Sequence, residues 1–146
     1  MTMFRKILLA VDGSEASLGA ARAAGRLAAE TGAEIRLLTI HDAPSAVLGE
    51  PGYSAVLNRA LAEAEDHLAT AAAAIVGVGG PEPARDKLTG HPAEAILTAA
   101  DAGGHDLVVV GNRGRGRIAG ALLGSVSSAI ASRARIPVLI IPHDAG

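Results

Sequence analysis

The chain has no cysteine and no tryptophan, and Phe4 and Tyr53 are its only phenylalanine and tyrosine. Without thiols there are no disulfides, no thiolate metal centres and no cysteine nucleophile, a usage compatible with a reducing cytoplasm, the expected location. With so few aromatic rings, a pocket for a nucleobase has to rely on aliphatic walls. Lysine is scarce too: Lys6 and Lys87 are the only two, and no G-x4-G-K-[S/T] occurs, which excludes a P-loop enzyme. Neither sign of charge dominates, since 13 basic residues face 15 acidic ones for a formal net charge of −2. That balance supplies no broad positive field, so no nucleic-acid partner is expected. The apolar run near the start, Ile7 to Val11, is closed by Asp12 and is too short for a signal core or a membrane span, so no membrane partner is expected either.

What remains is the composition of one ordinary domain, residues 1–146, with 49% hydrophobic content. A chain of this size buries roughly 70% of its unfolded surface. Short β-type apolar runs alternate with longer helical periods, the pattern of βαβ units and a parallel sheet. Ile7-Leu8-Leu9-Ala10-Val11 is continuously apolar, as a strand covered on both faces should be. Ser14 is placed as the N-cap of the first helix, whose stripe is Leu18, Ala21, Ala24 or Gly25, and Ala28, with Gly32 as a left-handed C-terminal cap. Glu34 to His41 follows as a strand. Leu57, Leu61, Ala64, Leu68, Ala71 and Ile75 then mark a long amphipathic helix. Ala84 to Thr89 reads as a weak strand, Gly90-His91-Pro92 as the entry to a helix with Ile96, Leu97 and Ala100 inward, and Leu107 to Val110 as a strand. Ser125 to Ala134 makes the fourth helix and Ile136 to Ile141 the fifth strand. Five parallel strands with right-handed crossovers give an α/β fold, an open doubly wound five-stranded sheet in the order 3-2-1-4-5 with helices on both faces.

In that order the connections leave the first and fourth strands toward opposite faces, opening a crevice at their carboxyl ends, where ligands bind in such sheets. Asp12-Gly13-Ser14 and the stretch GNRGRGRIAGALLGS, residues 111 to 125, border it. The second stretch carries five glycines and three arginines. Gly111 and Gly114 let backbone N–H groups turn toward an anion and let a ligand approach the main chain. Gly124-Ser125 stands at a helix N-terminus, where the dipole and the free amides favour negative charge. Ser125 and Ser127 add hydroxyls, and Arg113, Arg115 and Arg117 add cations. Gly114-x-Gly116 resembles a fragment of the dinucleotide fingerprint, but it follows the fourth strand and no acidic residue stands about twenty positions on, so NAD and FAD are not expected.

Gly111-x2-Gly114-x9-Gly124-Ser125 matches the G-x2-G-x9-G-[S/T] motif of the ATP-binding branch of the universal stress protein family, and the chain is identified as resembling that family. Lys6 to Ser14 resembles its opening strand, Gly90 to Ile96 its third helix entry, and Asp106 to Gly111 its fourth strand, so the similarity covers nearly the whole chain. Residues 42 to 55 match nothing in particular, and Ala10 stands where many relatives have proline. The resemblance implies the adenine nucleotide alpha hydrolase-like fold and a binding site for ATP, or ADP or AMP, with Mg²⁺ or Mn²⁺. Its residues would be Ala10, Val11, Asp12, Ser14, Ile40, Gly111, Arg113, Gly114, Arg115, Gly124, Ser125, Val126 and Ser127. Asp12 would contact ribose or metal, the backbone of Ile40 the adenine, and the glycine motif with its serine the phosphates; Asp12 and Ser125 are the candidate metal contacts.

Blander roles exist for each: Asp12 as a turn former, Ser125 as a helix cap, the arginines as a solvated loop face. Phosphoryl transfer needs an oriented acceptor or water besides phosphate and metal contacts, and no catalytic residue is singled out. The function expected is a nucleotide-dependent regulatory module in stress response. The alternatives are a slow ATPase or autophosphorylating protein, and a dimeric scaffold without nucleotide. Because 136–141 is apolar and lies at a sheet edge, a homodimer through that strand is expected. The downstream partner is not specified by the sequence.

Overall fold

In the computed structural model, which describes residues 3–112 and 123–143, the alternation of apolar runs and helical periods becomes a single twisted layer of strands between two layers of helices. The elements are β1 (Lys6–Ala10), α1 (Glu15–Thr31), β2 (Glu34–His41), a 3₁₀ turn (Ala46–Leu48), α2 (Gly52–Gly77), β3 (Ala84–Thr89), α3 (Pro92–Ala102), β4 (Leu107–Gly111), α4 (Ser125–Arg133) and β5 (Val138–Ile141). The strands pair in parallel in the order β3-β2-β1-β4-β5, as expected.

Period-two alternation sorts the central strands between two cores. Ile7, Leu9, Val11, Leu107 and Val109 face α1 and α2, while Leu8, Ala10, Val108 and Val110 face α3 and α4. Helix α1 begins where expected, the Ser14 hydroxyl accepting from the Ser17 amide at 3.1 Å. It ends at Gly32 in the left-handed conformation, φ 76°, with its amide bonded to the Ala28 carbonyl. Its buried face is Ala16, Ser17, Ala20, Ala21, Ala24, Gly25 and Ala28, whereas Leu18 is only half-buried. Small side chains let α1 approach its neighbours closely: a Cβ on Gly25 would lie 2.7 Å from Val78.

Leu68 and Ile75 of α2 are fully buried, each contributing roughly 1.5–3 kcal/mol. Leu57 and Leu61 are only half-buried, and Val56 and Ala60 of the same turns border a recess. Strand β5 starts two residues later than the apolar run suggests: Pro137 has no amide for the ladder and only its carbonyl takes part, accepting from the Val108 amide at 3.0 Å. Helix α4 stops at Arg133, with Ala134 as its cap. Among the described residues no helix is long and apolar enough to cross a membrane.

Candidate functional site

Chain direction makes the site. From β1 the chain passes to α1 on one face of the sheet, and β4 leads toward α4 on the other, so the carboxyl ends of these neighbouring strands part and leave a recess. Ala10, Val11, Asp12, Ser17, Ile40, Pro92, Ile96, Val110, Gly111, Val126 and Ser127 line it, around about 540 Å³ of space including the open mouth. Seven of these, Ala10, Val11, Ile40, Pro92, Ile96, Val110 and Val126, are apolar and converge from the end of β1, β2, α3, β4 and α4, the apolar wall that a chain poor in aromatics requires.

The polar groups of the rim are held by the backbone. Asp12 Oδ1 accepts from the Ser14 amide at 2.9 Å, which fixes the turn after β1. The Ser17 hydroxyl donates to the Ser14 carbonyl at 2.9 Å, and the Thr39 hydroxyl donates to the Val11 carbonyl at 2.9 Å. The Ser127 hydroxyl lies 2.9 Å from the Asn112 carbonyl and 3.2 Å from that of Gly124. Ser17, Thr39 and Ser127 are buried, and each is thereby satisfied without a ligand. Helix α4 differs from α1 in that its N-cap, Gly124, has no side chain to offer the first-turn amides, and among the described residues no side chain caps that end at the mouth.

Of the residues expected from sequence, Ala10, Val11, Asp12, Ile40, Gly111, Val126 and Ser127 meet in this recess. Ser14 caps α1 and lines a neighbouring depression instead, and Gly124 and Ser125 stand at the start of α4, Ser125 exposed. Arg113, Gly114, Arg115 and Arg117 lie outside the described residues. Sequence reasoning did not single out Ser17 and Val110, and took Pro92 and Ile96 for helix entry and core alone; their wall role depends on packing between distant segments.

An adjoining recess, sharing Asp12, Ile40 and Pro92, is lined by Thr39, His41, Asp42, Val56, Ala60, Glu63 and His67 among others. The His67 imidazole sits over Gly13, where φ is 85° and a Cβ would lie 2.4 Å from Nε2. Among the described residues no three or more His, Asp or Glu side chains gather as a metal site. His105, whose pKa is lowered by burial, lies before β4 at the opposite end of the sheet.

An open parallel sheet wound on both faces, with an apolar recess at its switch point beside the N-terminus of α4, defines a doubly wound α/β protein, a class in which ligand sites generally lie at the carboxyl ends of the strands. The profile of the universal stress protein family matches residues 3–142. The chain belongs to that family, and its fold is the adenine nucleotide alpha hydrolase-like one. It is 40% identical over 139 residues to a Thermus aquaticus protein described as a universal stress protein in the QAH/OAS sulfhydrylase 3′ region, covering 95% of this chain and 99% of that one. Its structure is similar to that of universal stress protein UspA from Lactobacillus plantarum, with a TM-score of 0.86 at 24% identity over 97% of this chain and 99% of that one. A universal stress protein solved in complex with cAMP superposes with a TM-score of 0.80 at 29% identity, over 98% of this chain and 100% of that one.

Proposed function

We propose that the chain is an ATP-binding regulatory module, with ADP and AMP as related ligands, and that it acts in the stress response by changing shape or partners with nucleotide. The observation that carries this reading is the recess between β1 and β4, apolar inside and opening on the start of α4. The apolar part fits a base, the turn at Asp12 fits a ribose, and the first-turn amides of α4 with Gly124 and Ser125 fit phosphate. The relative solved with cAMP supports an adenine nucleotide as the ligand class. Mg²⁺ or Mn²⁺ would arrive on the phosphates, since Mg²⁺ is commonly held by one or two carboxylates together with substrate oxygens. Asp12 and the Ser125 hydroxyl are the residues proposed to reach it, and Arg113, Gly114 and Arg115 are proposed from the motif alone.

The module binds rather than turns over. Hydrolysis or autophosphorylation is at most slow, because phosphoryl transfer needs an oriented acceptor for which no residue is assigned. It is proposed to work in the cytoplasm as a homodimer through β5, with no nucleic-acid or membrane partner. Calorimetric titration with Mg-ATP tests the reading. Heat of binding is expected for the native chain, and Val126→Trp, which fills the recess, should weaken affinity at least about tenfold while the protein stays folded by circular dichroism. Absence of heat at millimolar nucleotide overturns the reading.

A further inference from the structure

Asn112 follows β4 and precedes the 113–122 connection, and its bonds reach the start of α4, the end of β5 and the residues just past it. Its amide donates to the carbonyl of Ile141, at the end of β5, at 2.8 Å, and its carbonyl accepts from the Gly124 amide at 2.6 Å. The same carbonyl lies 2.9 Å from the Ser127 hydroxyl of α4. Its side-chain Oδ1 accepts from the amide of His143, beyond β5, at 2.7 Å. One residue therefore draws together both feet of the glycine connection, the first turn of α4 and the end of the sheet's edge strand.

The main-chain bonds recur with any residue at this position, but the bond to His143 needs a side-chain acceptor of asparagine's length. That bond leads away from the recess, to the edge of β5, and the binding of phosphate does not require it. We infer that Asn112 is a positioning residue that couples occupancy of the recess to the edge strand. A ligand that engages the first turn of α4 bears on Gly124 and Ser127, both bonded to the Asn112 carbonyl; the Asn112 amide holds Ile141 whatever the side chain, and the Oδ1 bond extends the restraint to His143. The nucleotide reading above is the premise of this coupling. Through it, ligand binding orders the chain just past the strand end at which a second copy would pair, and nucleotide and assembly become linked through one residue, its side chain holding His143.

Hydrogen exchange at the His143 amide reads the coupling directly, since His143 is exposed and Asn112 Oδ1 is the acceptor of its amide. In the native chain, Mg-ATP should slow that exchange roughly five- to tenfold, the scale of one hydrogen bond. In Asn112→Ala, nucleotide still binds by calorimetry but the His143 response is lost. Asn112→Asp, which keeps an acceptor of the same length, restores it. Binding without a change at His143 in the native chain overturns the coupling and leaves the nucleotide reading intact, as does an unaltered response in Asn112→Ala. No heat with the native chain removes the nucleotide reading and the coupling with it.

Discussion

Gly111 holds the first position of the glycine motif, and two demands meet there. Its backbone lines the recess, yet the space where a side chain would project is already filled: a Cβ would lie 2.8 Å from the Ala16 carbonyl carbon and 2.9 Å from Ala16 Cβ. The neighbours are helix backbone and a methyl group, neither of which can swing aside. Gly111→Ala should therefore destabilise the fold by roughly 1–3 kcal/mol even with no ligand present. Chemical denaturation measures it, and a loss below about 0.5 kcal/mol, the scatter of ordinary surface changes, would mean that packing does not demand the glycine. The motif was legible as a spacing of glycines, but this second reason was not, because Ala16 belongs to α1 and nothing local announces that α1 passes over the end of β4. Ser14 shows the opposite case, since an N-cap is written within four residues of chain, Ser14 to Ser17.

At the scale of elements, what could be read was what periodicity encodes, and what could not was where an element meets another. All five strands and four helices stand where alternation and caps place them, while the start of β5 depends on Pro137. The junction of α3 and β4 was also silent in sequence. There the chain buries His105, whose Nδ1 has no hydrogen-bond partner among the described residues. Burial, aided by the charges of Lys6 and Arg36, outweighs the nearby carbonyls of Ala100 and Ala99 and lowers its pKa below the usual 6.5. The unfolded chain then binds more protons than the folded one between the two pKa values, so stability rises with pH through that window. His105 contributes its full share above 6.5, and the share is lost as pH falls through the folded value. Thermal melts between about pH 7.5 and about pH 5 should show a falling midpoint, and His105→Gln should flatten part of that fall. An unchanged slope in the variant would assign the acid sensitivity to other groups.

Across the whole molecule the two edges of the sheet are unlike. Strand β3 carries Arg85, Asp86 and Lys87, and they are engaged: Asp86 pairs with Arg36, Arg85 with Glu82, and Lys87 with Glu65. Charges of this kind protect an edge from pairing with another chain. Strand β5 is Val138-Leu139-Ile140-Ile141, with β4 its only neighbour among the described residues and Leu139 37% exposed. An apolar edge left open is an aggregation hazard, and pairing with a second copy across a two-fold axis closes it without leaving a new one. Pro137 and Pro142 flank the strand and confine the added ladder to the four residues between them. In the proposed dimer the short ladder would shift the weight of association onto side-chain burial, where each large apolar residue contributes roughly 1.5–3 kcal/mol. Leu139→Glu removes that contribution once from each protomer and brings two carboxylates toward the axis, so dimerisation should weaken by at least about a hundredfold. Sedimentation at micromolar concentration should find the native chain dimeric and Leu139→Glu monomeric with an unchanged circular dichroism spectrum; a monomeric native chain would refute pairing through β5.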